Sequence, residues 1–340
     1  MIQSKKLRHR FILAMLSLCV ASWAYIIFFE ETIVQKPGMV YYLRPGSSRA
    51  LVLSELSKQD IVKHSVVFSL FMAFHPVTPL KAGEYLFPVG STLYSIWHQM
   101  TLGKGFYFRT FTIIPGWTFR DLRRALELNN YLRHVVQHID EKQIMNTFVS
   151  QTSAIVMLHP EGAFFPDTYY FTRDTTDIAI LQYAYELMQR HLMNVWQSRA
   201  ADLPYHDAYE ALIAASLIEK EACLAIERPI IAGVLINRLH KHMLLQIDPT
   251  VIYGLGDQYV GRLYKRHLLA ESVYNTYLHQ GLPPTPIAMP SLASILASLH
   301  PDVHDYYYFV ANGDGSHHFS KTLNEHHIAV HAVLVQEKKS

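Results

Sequence analysis

The chain has 340 residues and half of them are hydrophobic, which is enough for two or three domains with real cores and excludes a disordered chain. Lys5, Lys6, Arg8 and Arg10 lie in the first ten residues; without them, 26 lysines and arginines face 28 acidic residues. The small net positive charge therefore belongs to the N-terminal tail, and a nucleic-acid-binding surface is not expected.

An uncharged segment follows this basic tail. Phe11–Phe29 contains nineteen residues and no charge, and as a helix it would span roughly 28 Å, close to the thickness of a bilayer core. The basic tail predicts a cytoplasmic N-terminus at residues 1–10, a single membrane anchor at 11–30 and an extracytoplasmic remainder. A signal peptide cleaved near Ser22-Trp23-Ala24 is the alternative, but the apolar stretch is longer than such peptides usually have.

Residues 31–107 predict a small α+β module. Val40–Leu43 and Gly83–Phe87 have strand character, and each is followed by a turn and a helix-capping serine or threonine. The helices expected after these turns cover Leu51–Leu56 and Leu93–Leu102. Two such strand–turn–helix units indicate a weak internal duplication, and an exported module of this kind could bind glycan.

The next informative segment is Pro160–Phe171, which is dense in aromatic residues and prolines and contains two acids. One interpretation is an aromatic core cluster in which Asp167 caps a turn. The other is a loop whose rings stack on sugar faces while Glu161 or Asp167 binds hydroxyl groups.

A helix is predicted over residues 208–226, with an apolar stripe of alanines and isoleucines facing the core. Glu219 falls at one edge of this stripe and Glu221 at the other, about 160° apart, so the two acids do not form a pair on one face. Either acid could reach a cleft beside the stripe, and the helical geometry does not choose between them. The alternative is that both are solvated charges at the helix edge.

Pro229 suits the first turn of a second helix, with an apolar face over Ile230–Leu239. A loop around Gln246 and Asp248 follows. Gln246 interrupts an apolar run, so we expect a buried amide that needs partners, which a sugar hydroxyl or N-acetyl group could supply. Asp248 could cap the next helix or contact a ligand.

Several motifs in order resemble one family, the MltG/YceG-like endolytic murein transglycosylases. They run through Pro160-Glu161-Gly162 and Pro166-Asp167-Thr168-Tyr169, Glu219-Lys220-Glu221, Glu227-Arg228, Asn237-Arg238-Leu239, Gln246, Asp248–Gly254, Tyr274-Asn275-Thr276-Tyr277, Gly281-Leu282-Pro283-Pro284, Gly315, His317, Phe319, Ser320, Thr322 and His326. The similarity covers essentially the whole chain. It implies an α+β fold: a single N-terminal transmembrane helix, a small LysM-like module at 31–107 and a larger α+β catalytic domain at 108–340.

The resemblance also implies a reaction, the non-hydrolytic cleavage of the β-1,4 bond between N-acetylmuramic acid and N-acetylglucosamine with formation of a 1,6-anhydro end. Glu219 matches the catalytic position, where one residue serves as acid and then as base; an acid that starts protonated suits an apolar helix edge. Glu221 matches a position of the family that is not the catalytic one. The residues expected to position substrate are Gln246, Asp248, Tyr253, Asn275 and Glu161.

The expected partners are peptidoglycan glycan strands and the bacterial cytoplasmic membrane, with the catalytic domain outside it, and peptidoglycan synthases or divisome proteins as further candidates. No cofactor is implied. Five residues depart from the usual family pattern: Ala222, Ile247, Thr285, Met289 and Ser291.

Three alternatives remain. The first is a non-catalytic member that holds glycan strands for a synthesis complex. The second is a metal-dependent hydrolase using the histidines at 300, 304, 317, 318, 326 and 327, although no HExxH spacing is found. The third is an ordinary glycosidase with two carboxylates, which would leave reducing ends.

Overall fold

The computed structural model of the chain describes residues 2–33, 37–75, 78–149 and 155–337. The chain divides into two compact units. Unit 1 comprises Met1–Thr110 with Tyr170–Asp174, and unit 2 comprises Phe111–Tyr169 with Thr175–Ser340. Both units combine helices with short strands, which confirms the expected mixture of α and β structure.

Unit 1 is built on one antiparallel strand pair, with Met39 opposite Phe87 and Leu43 opposite Gly83. Its elements are helix α1 (Ile2–Phe28), strand β1 (Met39–Leu43), helices α2 (Arg49–Lys58) and α3 (Ser65–Phe74), strand β2 (Gly83–Phe87) and helix α4 (Leu93–Leu102). Aromatic residues from both strands and from α3 and α4 fill a single core beneath the sheet, together with aliphatic residues from α2.

The two predicted helix starts in unit 1 are capped as their sequences indicate. Ser48 accepts a hydrogen bond from the Leu51 amide at 3.2 Å, and Thr92 forms a capping box with Ser95. Helix α3 was not predicted, because its ten residues form an almost continuous apolar run without helical periodicity.

Helix α1 is long enough and apolar enough, over Lys5–Phe28, to cross a membrane. Its last turns also belong to unit 1. Ile27 is completely buried in the core of unit 1, and Trp23 and Ile26 pack against the same core. Helix α1 therefore contributes directly to the packing of unit 1.

Unit 2 is mainly helical. Its helices are α5 (Phe119–Glu127), α6 (Glu141–Phe148), α7 (Asp177–Gln197), α8 (Ala208–Glu221), α9 (Arg228–His240), α10 (Asp248–Leu255), α11 (Lys265–Leu268), α12 (Leu292–Leu299) and α13 (Leu323–Glu337). Strands β3 (Arg109–Thr112) and β4 (Thr168–Phe171) contain the points where the chain passes between the units, and strands β5 (Tyr308–Ala311) and β6 (His317–Ser320) pair antiparallel.

Helix α8 is the central element of unit 2, with α7, α9, α10 and α12 packed against it. Its small side chains allow this close packing, and every residue from Ala211 to Ile218 is buried. The helix ends at Glu221, not at residue 226 as predicted, and Ile226 is exposed. Pro229 lies in the first turn of α9, as predicted.

Candidate functional site

Glu219 lies in the last turn of α8, where the buried helix reaches the edge of the core. Its side chain is only 7% exposed. The carboxylate oxygen Oε2 accepts three hydrogen bonds: from the Ser291 amide at 2.9 Å, from the Ser291 hydroxyl at 2.5 Å and from the Ser294 hydroxyl at 2.6 Å. Glu219 is thus a nearly buried carboxylate with a fixed orientation.

The donors come from the amino end of α12. Ser291 is the N-cap of this helix, so the Glu219 carboxylate sits where unpaired amides and the helix dipole favour negative charge. Ser291 is one of the five expected departures from the family pattern, and the resemblance implies glycine as the usual residue there. A glycine would keep the amide contact and lose the hydroxyl contact.

Arg228 approaches the other carboxylate oxygen. Its Nη2 atom lies 3.6 Å from Oε1 of Glu219, and its Nε donates to the Ser294 hydroxyl at 3.1 Å. No hydrogen bond to Oε1 is found among the described residues. The surroundings of Glu219 are therefore polar and cationic, which corrects the expectation of an apolar helix edge.

Glu221, two residues further along α8, has the apolar surroundings that were expected for Glu219. Leu217, Ile231, Leu235 and Phe309 are among the residues that enclose it. Burial raises the pKa of Glu221 to about 8, and the charge of Asp248 adds to this while the guanidinium of Arg238 opposes it. The two acids thus occupy different environments.

The loop before α10 presents Gln246 differently from the prediction. Gln246 is exposed, not buried, and its backbone has φ +51°, in the left-handed region that residues other than glycine rarely adopt. The backbone amide of Gln246 donates to the Thr276 carbonyl at 3.0 Å, and the backbone amide of Ile247 donates to the Thr276 hydroxyl at 2.9 Å. These bonds hold a strained loop, whose Gln246 side chain faces solvent.

Asp248 is the first residue of α10 and not its cap; the N-cap is Ile247, which has no capping side chain. Oδ1 of Asp248 accepts a hydrogen bond from the Tyr277 hydroxyl at 2.6 Å. Burial, and then this hydrogen bond, raise the pKa of Tyr277. Tyr277 therefore stays protonated and orients Asp248, a contact that the sequence did not predict.

Glu161 and Tyr253 meet inside unit 2. The Tyr253 hydroxyl donates to Oε2 of Glu161 at 3.0 Å, and the Phe119 amide donates to Oε1 at 2.9 Å. Burial raises the pKa of Glu161 to about 7, against the opposing effect of these two hydrogen bonds. Gly162 makes the turn possible, since it has φ +74° and a Cβ there would lie 2.5 Å from Pro286.

Asn275 is buried, and its polar atoms contact the adjacent loop. Nδ2 donates to the carbonyls of Leu268 at 3.1 Å and Ala270 at 2.8 Å, while Oδ1 accepts from the Tyr277 amide at 2.9 Å. Its side chain shapes the loop that carries Thr276 and Tyr277. Direct contact between Asn275 and a substrate stays a prediction.

The aromatic segment around Glu161 belongs to the core. Phe164, Phe165, Tyr169 and Phe171 are buried, so their rings are not available as a sugar-stacking surface, and only Tyr170 is largely exposed. Asp167 accepts from the Thr168 amide at 2.7 Å, where strand β4 begins, and its role as a turn cap stays a prediction.

The histidines considered as metal ligands make other contacts. His317 Nδ1 lies 2.7 Å from Oε2 of buried Glu227, and His304 Nε2 lies 2.9 Å from the Ile230 carbonyl. Within the described ranges, no three His, Cys, Asp or Glu side chains converge as metal ligands would.

In the structure Glu161 and Tyr253 are thus hydrogen-bonded to each other. The loop from Gln246 to Asp248 is held by hydrogen bonds to Thr276 and Tyr277. Helix α10 packs against α8, which places this loop beside the helix that carries both acids. No hydrogen bond among the described residues joins Glu219 to any of the five predicted substrate-binding residues. The contacts that sequence reasoning missed are those of Arg228, Ser291 and Ser294; the Pro-Ser-Leu pattern at 290–292 is a helix-cap signal that could have drawn attention to Ser291.

Comparison with known proteins gives consistent matches. A model of the YceG-like family matches residues 41–332. The endolytic murein transglycosylase of Bacillus subtilis (strain 168) is 33% identical over 295 residues, covering 84% of this chain and 81% of that protein. The endolytic murein transglycosylase of Streptococcus pneumoniae serotype 2 is 26% identical over 314 residues, covering 83% of this chain and 56% of that longer protein.

A solved structure is similar as well. The crystal structure of a yceG-like protein from Listeria monocytogenes aligns with a TM-score of 0.54 at 27% identity. The alignment covers 86% of this chain and 99% of that one.

Proposed function

Because the chain belongs to the YceG-like family, we propose that it is an endolytic murein transglycosylase that cleaves peptidoglycan glycan strands and leaves 1,6-anhydro-N-acetylmuramic ends. The observation that carries this proposal is the Glu219 carboxylate, nearly buried and held by three donors at the start of α12. A single carboxylate that acts first as acid and then as base is the minimum that this reaction needs.

Glu219 Oε1 is the reacting atom in this mechanism. Oε2 is occupied by the two serines, whereas Oε1 accepts no hydrogen bond from the described residues, so a proton on Oε1 leaves the serine contacts intact. In the first step Oε1 gives its proton to the glycosidic oxygen as the bond from that oxygen to C1 of N-acetylmuramic acid breaks.

In the second step the Oε1 carboxylate removes the proton from the C6 hydroxyl of the same sugar. The C6 oxygen then attacks C1 and closes the anhydro ring, so the proton lost by Glu219 is regained and no water is consumed. The serine donors and the guanidinium of Arg228 stabilise the carboxylate that exists between these steps.

The neighbouring residues suit substrate positioning. The exposed amide of Gln246 could donate to and accept from an N-acetyl or hydroxyl group, and Asp248, oriented by Tyr277, is a hydrogen-bond acceptor in the same loop. Glu161 and Tyr253 orient each other through their hydrogen bond, and Asn275 stabilises the loop that carries Thr276 and Tyr277. We assign substrate binding to this group, with Gln246 and Asp248 in direct contact.

Helix α1 is proposed as a single-pass anchor in the cytoplasmic membrane, with residues 1–10 in the cytoplasm and the catalytic domain, residues 108–340, outside it. The basic residues in front of the apolar stretch support this orientation. Residues 31–107 are proposed as a LysM-like glycan-binding module. This placement would bring the enzyme to strands newly made at the membrane by peptidoglycan synthases.

The test is mass spectrometry of the products formed by the full chain in detergent from purified glycan strands. Full length matters, because Ile27 of α1 belongs to the core of unit 1. Products lighter by one water than hydrolysis fragments, absent with Glu219→Gln and present with the matched variant Glu221→Gln, are expected. Reducing ends would instead require a second carboxylate, and binding without cleavage by the wild type would support a non-catalytic glycan-binding protein.

A further inference from the structure

The end of helix α1 is covered by unit 1. Phe28 lies against Tyr94 of α4 and Phe71 of α3, with ring centroids 5.0 and 6.4 Å apart, and Trp23 lies 6.4 Å from the same Phe71 ring. Residues 23–28 thus belong to the apolar span, and they also contact the other elements of unit 1.

The length of the span decides how deep these contacts lie. The apolar residues that precede Trp23 are Phe11–Ser22, twelve residues that as a helix cover only about 18 Å, against about 30 Å for a bilayer core. A helix that continues to Phe28 is about 27 Å long, which is close to the thickness of a bilayer core. The membrane must therefore reach the level of Phe28, and the parts of unit 1 that pack on Trp23–Phe28 lie at membrane depth.

Helix α3 packs against the last turns of α1. His64, directly before α3, lies 3.3 Å from Glu30, which marks the outer end of the span. Seven residues later, Phe71 contacts Trp23 and Phe28. Helix α3 therefore runs back along α1 from the polar end of the span, and the Arg49 guanidinium, which donates to the Met72 carbonyl at 3.1 Å, limits its depth to the outer boundary of the membrane.

The outer face of α3 is mostly apolar. The helix has no charged residue, and its side chains at i, i+4 and i+8 form one exposed stripe, with Val66 81%, Leu70 49% and Phe74 76% exposed. Ser69 is exposed beside this stripe, so the exposed side of α3 is mostly and not entirely apolar. A short helix with large apolar side chains exposed is unusual in water and typical of a lipid interface.

We propose that the α3 stripe, Val66, Leu70 and Phe74, inserts into the outer boundary of the lipid bilayer, so that unit 1 is a membrane-embedded module and not a freely suspended one. This inference rests on the anchor described under the proposed function and is independent of the cleavage chemistry. Lipid is the occupant because the stripe continues the apolar surface of α1 at the same depth.

The test is spin-label accessibility in full-length protein reconstituted into phospholipid vesicles. Three proteins with a single cysteine each are compared. The first carries Cys223→Ala and keeps native Cys19 in α1. The other two have both native cysteines changed to alanine and carry either Leu70→Cys or Leu102→Cys. Leu102, 41% exposed, is the matched control, because the charged Lys81 ammonium donates to its carbonyl at the far end of α4.

Labels at positions 19 and 70 are expected to be relaxed strongly by oxygen and weakly by a water-soluble nickel chelate, with the opposite order at position 102. If position 19 behaves as lipid-exposed while position 70 behaves like position 102, the inference fails and the anchor stands. A label at 70 that is shielded from both reagents would mean a protein contact and would also overturn the inference.

A label at position 19 that is accessible to the nickel chelate would contradict both the proposed anchor and this inference. The product analysis would still test cleavage separately. Should Leu70→Cys fail to fold, Phe74→Cys on the same stripe, with the larger exposed fraction, provides the same comparison.

Discussion

Glu219 and Glu221 are separated by one residue on the same helix, and their surroundings are opposite. Glu219 is almost buried yet surrounded by donors, from Ser291, Ser294 and Arg228. Glu221 lines a small and mostly apolar cavity together with Leu217, Ile231 and Arg238, and burial raises its pKa to about 8. Burial alone therefore does not determine the protonation of a carboxylate, because the charges and hydrogen-bond donors that face its oxygens also contribute.

The strongest way to sharpen this comparison is to neutralise each acid in turn. Glu219→Gln should lower the cleavage rate by about a thousandfold or more, because an amide cannot transfer the proton. Glu221→Gln should keep most of the activity, since that side chain faces the core. Rates of release of anhydro-ended fragments measure both; comparable losses in the two variants would contradict the assignment of Glu219.

The second prediction concerns stability and pH. The pKa of Glu221 is about 8 in the folded protein and about 4.3 in an unfolded chain. The folded state holds this proton more tightly, so the contribution of Glu221 to stability is fully present below about pH 4 and is lost as the pH rises through 8.

Glu221→Gln removes this dependence. Its melting temperature should therefore rise relative to the wild type as the pH increases from about 5 to 9, with a difference in the free energy of unfolding of about 5 kcal/mol at most. Glu161, whose pKa is about 7, is present in both proteins and cancels in the difference. A difference that does not change with pH would show that Glu221 is already charged at pH 5.

Arg228 provides the third test. Arg228→Met keeps much of the side-chain volume and removes the charge 3.6 Å from Oε1, so the catalytic rate should fall by about tenfold to a hundredfold with little change in KM. Lys220→Met is the control, because this exposed lysine is the neighbour of Glu219 and contacts the Gly116 carbonyl instead. Equal losses in both variants would point to a general effect of charge.

The smallest expected effect belongs to Ser291→Gly. Glycine retains the amide donor to Glu219 and loses the hydroxyl, so the rate should change by about tenfold or less, while the loss of the cap costs a few tenths of a kcal/mol. The measurement is the cleavage rate beside the melting temperature. A large fall in melting temperature would mean that the serine acts mainly as a helix cap.

Much of the fold followed from local sequence signals. The capped helix starts at Ser48 and Thr92, the proline in the first turn of α9 and the separation of the two acids on α8 all depend on residues close together in the chain. Helical periodicity predicted an apolar buried stripe on α8, but Leu212, Ile213 and Leu217 outside that stripe are buried too, because other helices surround α8.

The wrong expectation for Glu219 has a physical cause, which is contact between residues far apart in sequence. Nothing near Glu219 indicates that Ser291 and Ser294, more than seventy residues later, supply its donors. Gln246 was expected to be buried because its neighbours are apolar, but its left-handed backbone turns it outward while Leu245 and Ile247 stay inside. Helix α3 lacked periodicity because both of its faces are apolar.

The burial of Ile27 in the core of unit 1 has a consequence for how the protein is made. That core is incomplete until the last turns of α1 have joined it, so unit 1 cannot finish packing before this helix has formed. A chain cut after Ala24 would keep Ile27 without the helix that positions it. Removal of the helix that precedes Ile27 would therefore leave unit 1 with an incompletely packed core, and we expect such a fragment to be less stable than the full chain.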